Sequence, residues 1–268
     1  MSKFKVGDTF NRLKEKNEKA FIAYIMAGDG GLSNLGHRIS ELESAGVSII
    51  ELGIPFSDPV ADGPAIQAAG RRALAEGVTL EAVLVELARI KAEISIPVVI
   101  MSYANPVLSL GAEKFSGLAH EAGVAGVILP DVPFEQEGEF GAPLAKYDIA
   151  IIRFVTLTSS EERIREVTGT AEGFVYAVTV NGTTGVRDGF DDSLYDHLEH
   201  ITELSRAPVC AGFGISTREQ AEKVGSACDG VIVGSRIVNL LHEGKADEIS
   251  GIIPQKSALE KVTSKIFD

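Results

Sequence analysis

Two acidic side chains are the residues of this sequence best placed to move protons. Glu51 stands inside the apolar run 48–54, and Asp62 follows it by eleven residues, directly before Gly63. Burial raises the pKa of a carboxyl group, so a glutamate in such a run can act as general acid and general base in turn. Each residue also has a structural alternative. Glu51 could pair with a backbone amide or a cation, and Asp62 could cap the helix that Pro64 begins.

Two glycine-containing turns late in the chain are suited to an anion. Residues 212–216 read Gly-Phe-Gly-Ile-Ser and residues 230–235 read Gly-Val-Ile-Val-Gly-Ser, each with a short apolar run before a helical pattern. Glycine lets the backbone approach a ligand closely, and the free N–H groups at a helix start carry positive partial charge. Either turn alone could be an ordinary chain reversal, but the pair favours a phosphate site.

A repeating pattern of strands and helices surrounds these residues. Eight apolar runs predict strands, at 21–27, 47–54, 97–103, 126–129, 150–156, 173–179, 208–211 and 231–233. Helical spacing follows each strand, at 33–45, 64–74, 79–94, 111–122, 135–146, 160–168, 191–205, 216–224 and 236–242. Further helices are predicted before the first strand, at 8–16, and at the end, at 246–266.

Strands that are apolar throughout are typical of a parallel sheet covered by helices. The fingerprint G-x-G-x-x-G of an open, nucleotide-binding sheet is absent from the sequence. We therefore predict the α/β class and one domain over 1–268, a (β/α)8 TIM barrel with an extra N-terminal helix and extra short helices. In such a barrel the reactive groups lie at the carboxyl ends of the strands. Carboxylates dominate the early ends here, and glycines and hydroxyls dominate the late ones.

Composition excludes several classes of partner. The net charge of −13 disfavours nucleic acid and anionic membranes. No apolar run approaches the ~18 residues of a membrane span, and the first residues lack the core of a signal peptide. Cys210 and Cys228 lie in or near predicted buried strands, which indicates that both are small core residues. No Cys/His spacing in the sequence suits a metal. We expect a cytoplasmic protein that binds a small molecule and needs no metal.

The sequence resembles the tryptophan synthase alpha chain family. The most specific match is 51–67, which reads Glu-Leu-Gly-Ile-Pro-Phe-Ser-Asp-Pro-Val-Ala-Asp-Gly-Pro-Ala-Ile-Gln. Companion motifs in the family's order lie at 103–106, 130–133, 182–185, 212–216 and 234–235. The resemblance implies a retro-aldol cleavage of indole-3-glycerol phosphate to indole and glyceraldehyde 3-phosphate, without an organic cofactor. It places the catalytic acid/base on Glu51 and the second catalytic carboxylate on Asp62.

The resemblance also implies a set of binding residues and a partner. The substrate-binding residues would be Tyr24, Leu129, Tyr176, Thr184, Gly185, Phe213, Gly214, Gly234 and Ser235. Asp58, Asn105 and Asp131 would face the beta chain, a pyridoxal-phosphate-dependent partner that receives the indole in an alpha2beta2 heterotetramer. Two positions depart from the family's pattern: Gly30 stands where proline is usual, and Thr183 stands where valine often does.

Two other functions stay open at this stage. One is another phosphate-binding TIM-barrel enzyme of sugar-phosphate or indole metabolism. Such an enzyme would be indicated by a lysine at the end of a strand. The lysines of this chain fall in predicted helices or tails, so that feature is missing. The other is a non-catalytic subunit that only activates its partner, which the presence of both Glu51 and Asp62 disfavours.

Overall fold

Eight parallel strands close into a barrel in a computed structural model, which describes residues 2–178, 192–212 and 214–254. Each strand is hydrogen-bonded to the next along the chain, and the last pairs with the first. The strands are β1 (Ala20–Met26), β2 (Ile49–Gly53), β3 (Val98–Met101), β4 (Gly126–Ile128), β5 (Ala150–Thr156), β6 (Val175–Val178), β7 (Val209–Gly212) and β8 (Gly230–Val233). This closed order confirms the predicted TIM barrel.

Helices surround the barrel. They are α1 (Ser2–Glu15), α2 (Leu35–Ala45), α3 (Pro64–Ala75), α4 (Leu80–Ile90), α5 (Ala104–Leu110), α6 (Ala112–Glu121), α7 (Gly138–Ala145), α8 (Glu161–Gly169), α9 (Asp192–Leu204), α10 (Arg218–Ser226) and α11 (Ser235–His242). Short 3-10 helices occupy Leu32–Asn34, Lys91–Glu93, Phe134–Gln136 and Ala246–Gly251. None of the helices in the described ranges is long and apolar enough to span a membrane.

The predicted extra helices are present, with two differences. α1 precedes β1, and α3 and α4 both lie between β2 and β3, as expected. α5 was not predicted, and it adds a further helix directly after β3. The helix predicted over 246–266 is wrong in its first part, where a 3-10 helix covers Ala246–Gly251. Residues 255–266 of that prediction lie outside the described part of the chain.

Local signals set several helix ends. Thr79 accepts a hydrogen bond from the Ala82 amide at 3.2 Å and caps α4. Thr217 and Gln220 form a reciprocal capping box at the start of α10. Gly46 caps the carboxyl end of α2, and its φ of 104° is in the left-handed region that glycine tolerates.

Strand register places one residue of each early strand side by side on the barrel's inner face. Every residue of β1 and β2 is buried, as expected for strands packed on both faces. Tyr24 in β1 is the register partner of Glu51 in β2, and Glu51 is in turn the partner of Val99 in β3. Side chains alternate along a strand, so these three point to the same side of the sheet.

The loop after β1 has a conformation of its own. Gly30 has a φ of +84°, and a Cβ built on it would stand 2.3 Å from a nitrogen of the Arg38 guanidinium. Its neighbour Asp29 is nearly buried and accepts two hydrogen bonds from Arg72 of α3, at 2.7 and 2.8 Å. The loop is thereby fixed to α3.

Candidate active site

A cavity of about 640 Å³ includes residues from the carboxyl ends of the barrel strands. It brings together eight of the residues that the sequence predicted for catalysis and substrate binding: Glu51, Asp62, Tyr24, Leu129, Tyr176, Gly214, Gly234 and Ser235. Predicted site residues Thr184, Gly185 and Phe213 lie outside the described residues. The early carboxylates and the late glycine turns therefore share one cavity.

Glu51 is a buried carboxyl group in the lining of this cavity. It is 3% exposed, and burial raises its pKa to about 8, with a further contribution from the charge of Asp62. Its Oε2 atom is buried and has no hydrogen-bond partner among the described residues. The structural alternative for Glu51, pairing with an amide or a cation, would satisfy that oxygen. At neutral pH the group therefore holds a proton that it can give to a ligand.

Asp62 is the second buried carboxyl group of the cavity. It is 5% exposed, and burial raises its pKa to about 6, while a hydrogen bond from the Tyr103 hydroxyl lowers it. The Tyr103 oxygen also accepts a hydrogen bond from the Ala61 amide at 3.0 Å. Asp62 does not cap α3, because Gly63 occupies the cap position without a side-chain bond. Asp62 is thus held by Tyr103 and ionises below neutral pH.

Tyr103 is a site residue whose role sequence reasoning missed. It lies two residues after the end of β3, is 1% exposed, and packs against Phe56 with ring centroids 5.3 Å apart. Its phenol pKa is raised by burial and by the charge of Asp62, so it stays a neutral donor. The signal was its place in the Tyr-Ala-Asn-Pro motif at 103–106, but no local pattern indicates that it contacts Asp62.

Two tyrosines form walls of the cavity, and each lies against a glycine of a neighbouring strand. A Cβ built on Gly53 would stand 2.0 Å from the Tyr24 hydroxyl oxygen, and one on Gly212 would stand 2.7 Å from the Tyr176 ring. Phe154 packs beside Tyr176 with ring centroids 5.1 Å apart and planes tilted by 36°. Larger side chains at either glycine would displace the tyrosine. The result is a partly aromatic chamber suited to a flat ring.

The late strands supply backbone groups at the same cavity. Gly214 has a φ of +72°, which favours glycine, and Gly234 and Ser235 lie where β8 gives way to α11. The N–H groups at the start of α11 have no intrahelical partner and suit an anion. Arg153 also lines the cavity, but its guanidinium bonds Glu137, Thr170 and Val167. Arg163 and Arg236 line the cavity as well, and each bonds a glutamate. Anion binding at this end is therefore predicted to depend chiefly on backbone dipoles.

The residues predicted to face a partner protein are all exposed. Asp58 and Asn105 are exposed and do not line the cavity, whereas Asp131 does. The Asp131 carboxylate accepts hydrogen bonds from the Ala104 amide at 3.0 and 3.1 Å and so anchors the start of α5. The described residues contain no group of three or more His, Cys, Asp or Glu that could hold a metal ion.

Comparison with known sequences identifies one family. A model of the tryptophan synthase alpha chain family matches residues 10–265. The tryptophan synthase alpha chain of Listeria monocytogenes serotype 4a is 52% identical over 248 residues, which cover 92% of this chain and 95% of that protein. The protein of the same name from Bacillus mycoides is 52% identical over 239 residues, covering 89% and 93%.

Solved structures show the same architecture. The tryptophan synthase alpha chain of Legionella pneumophila superimposes with a TM-score of 0.86 and 30% identity, over 97% of this chain and 98% of that one. A chain of the Mycobacterium tuberculosis tryptophan synthase superimposes with a TM-score of 0.86 and 30% identity, over 95% and 97%.

Proposed function

The chain belongs to the tryptophan synthase alpha chain family, a family of carbon–carbon lyases in tryptophan biosynthesis, and we propose that Glu51 and Asp62 are its catalytic pair. The reaction is the cleavage of indole-3-glycerol phosphate to indole and glyceraldehyde 3-phosphate. The observation that carries the proposal is the presence of two buried carboxyl groups with raised pKa values in the cavity that the glycine turns also line. We propose one catalytic domain over 1–268.

Glu51 carries both proton transfers. Its protonated carboxyl gives a proton to indole C3, which leaves the ring positively charged. The resulting carboxylate then accepts the proton of the side-chain hydroxyl on the carbon bonded to C3. As that proton leaves, the O–H electron pair forms the aldehyde C=O bond and the C3–C bond electrons return to the ring. Glu51 regains its proton, so the reaction consumes no water and no external acid.

Asp62 stabilises the charge that forms on the ring. Protonation at C3 spreads positive charge to N1–H, and a fixed carboxylate beside that group lowers the energy of the intermediate. Its pKa of about 6 keeps it ionised at neutral pH while Glu51 stays protonated. Two carboxyl groups whose pKa values are driven apart are the usual arrangement for separate acid and electrostatic roles.

The binding residues orient the substrate between the two ends of the cavity. Tyr24, Leu129 and Tyr176 contact the indole ring, and the backbone at Gly214, Gly234 and Ser235 holds the phosphate. The sequence motif at 182–185 extends this assignment to Thr184 and Gly185, and the 212–216 motif extends it to Phe213. With the phosphate at the late strands, the ring lies at Glu51 and Asp62.

The chain works with a beta chain, as the family does, and we assign the contact surface to Asp58, Asn105 and Asp131. Two large apolar side chains support this surface, because Val60 is 69% exposed and Leu108 is 44% exposed in the neighbouring loop and helix. Apolar side chains that are exposed together can mark a protein interaction site. We propose an alpha2beta2 heterotetramer in the cytoplasm, with the pyridoxal-phosphate-dependent beta chain receiving the indole. Sedimentation of the mixed chains measures the stoichiometry.

The test of the activity is to add indole-3-glycerol phosphate to the purified chain and measure indole, with and without a beta chain. We expect indole in both cases and faster release in the complex. A chain that releases none under either condition is a pure activator of its partner. Turnover of phosphorylated sugars without an indole substrate would instead indicate another phosphate-binding barrel enzyme.

The pH dependence of kcat/KM should be bell-shaped. Activity rises as pH passes about 6, because Asp62 must be ionised, and falls above about 8, because Glu51 must carry a proton. We expect the maximum near neutral pH in assays from pH 5 to 9. The charge of Asp62 raises the pKa of Glu51. In the Asp62→Asn variant the residual activity should therefore begin to fall at a lower pH than in the wild type. A profile that is flat across this range contradicts the assignment.

A further inference from the structure

The Tyr24 side chain lines the same cavity as Glu51 and Asp62 and lies near enough to both carboxyl groups to be affected by their charges. Tyr24 is 3% exposed and is the register partner of Glu51, so the two side chains are neighbours on the barrel's inner face. Its hydroxyl lies over Gly53, two residues beyond Glu51 toward the loop that carries Asp62. Burial, with a further contribution from the charges of Asp62 and Glu51, raises the pKa of the phenol well above its ordinary value, so the hydroxyl is a hydrogen-bond donor.

Two buried polar atoms in this part of the cavity are without a partner. Neither the Tyr24 hydroxyl oxygen nor Glu51 Oε2 has a hydrogen bond within the part of the chain that the structure describes. Leaving a buried polar group unsatisfied is unfavourable, so such pairs point to a ligand that completes them. A hydroxyl group on the ligand is the matching chemistry, because its oxygen accepts from Tyr24 while its proton is given to Glu51. An N–H group can only donate, so it cannot complete both.

We propose that Tyr24 donates a hydrogen bond to the oxygen of the substrate hydroxyl whose proton Glu51 accepts. This inference rests on the proposed function and assigns Tyr24 a polar role in addition to its ring contact. As Glu51 removes the proton, the oxygen keeps its electron pair and becomes the aldehyde oxygen. A donor fixed at that oxygen stabilises the partial negative charge that the oxygen carries in the transition state, as the proton leaves and the C3–C bond breaks. Gly53 is required because it leaves the space that the hydroxyl fills.

The test is the variant Tyr24→Phe, which removes the hydroxyl and keeps the ring. We expect kcat/KM for indole-3-glycerol phosphate to fall about 10- to 100-fold, the range for loss of one hydrogen bond to a buried group. The dissociation constant of an analogue with indole and phosphate joined by an unsubstituted three-carbon chain should change by less than about threefold, since it lacks the chain hydroxyls.

A stability measurement separates this role from a structural one. Because the hydroxyl has no partner among the described residues of the free protein, Tyr24→Phe should unfold at the same temperature as the wild type or higher. A structural hydroxyl would lower that temperature. Tyr147→Phe is the matched control, since Tyr147 lies outside the cavity lining and packs on His120. It should leave kcat/KM unchanged.

Three results would overturn the role proposed for the Tyr24 hydroxyl, and they differ in what they imply for the proposed function. A Tyr24→Phe enzyme within twofold of wild type overturns the inference and leaves the proposed function intact. An equal loss of affinity for the analogue, or a lowered unfolding temperature, shows that Tyr24 acts through packing and also overturns it. A wild-type chain that releases no indole even with a beta chain overturns the proposed function, and this inference with it.

Discussion

Glu51→Gln is expected to lower kcat/KM for indole-3-glycerol phosphate by about 10⁴-fold, at the upper end for loss of a general acid/base. The loss is large because one side chain performs two proton transfers, and an amide can perform neither. About 5.5 kcal/mol of transition-state stabilisation would be removed. Indole release in the complex with a beta chain is the measurement. Turnover within tenfold of wild type would assign the proton transfers to another group.

The stability of the same variant gives an independent check. Burial raises the pKa of Glu51 to about 8, so the folded chain holds a proton that the unfolded chain releases at lower pH. The wild type therefore loses stability as pH rises from about 5 to 8, at up to ~1.4 kcal/mol for each pH unit. Glu51→Gln lacks this loss and should gain stability relative to wild type over that range. The exposed control Glu93→Gln should show no such gain.

Asp62→Asn is expected to lower kcat/KM by about 10²- to 10³-fold, the usual cost of removing one preorganised electrostatic group. An amide keeps the shape of the side chain but cannot offer a negative charge to N1–H. The fold should survive, because asparagine can still accept the hydrogen bond from Tyr103. Circular dichroism and the unfolding midpoint test that point.

Binding of the hydroxyl-free analogue, whose indole ring does not react and stays uncharged, provides the control for Asp62. The variant should bind the hydroxyl-free analogue with nearly unchanged affinity, because no positive charge develops on a ring that does not react. If affinity for the analogue falls as far as kcat/KM does, Asp62 serves substrate binding and has no special role in the transition state.

The barrel was predictable because its strands are strongly apolar and regularly spaced. β2 lies within the predicted run 47–54, and continuous burial of this strand agrees with its apolar sequence. Packing on both faces of the sheet requires that pattern, so local sequence was sufficient. The same reasoning placed Glu51 in the interior.

α5 and the role of Tyr103 were not predictable in the same way. The Asn105-Pro106 dipeptide suggests a turn, yet proline is tolerated in the first turn of a helix, where its missing N–H costs nothing. The start of α5 is held by Asp131, which lies 27 residues away from Ala104. Tyr103 likewise reaches Asp62 because β2 and β3, which lie far apart in the sequence, pair side by side in the sheet. Contacts between distant segments carry these features, and no local spacing encodes them.

Asp62 illustrates how a favoured local signal can mislead. An acidic residue shortly before a helix-starting proline is a typical cap, but Gly63 occupies that place and Asp62 turns into the cavity. The hydrogen bond from the Gln67 side chain to the Asp62 carbonyl, at 2.8 Å, fixes the backbone in this arrangement. The carboxylate therefore faces the cavity, where it can contact a bound substrate.

The loop after β1 limits the exchange of residues between this enzyme and its relatives. A proline ring fixes φ near −65°, so it cannot adopt the +84° of Gly30, and any side chain there would meet the Arg38 guanidinium. The guanidinium is the far end of a flexible side chain and can move aside, whereas the backbone of residue 30 cannot take up the proline φ in its present course. A consensus-designed or chimaeric enzyme that imports proline at position 30 must therefore rebuild the loop between β1 and α2 in the same step.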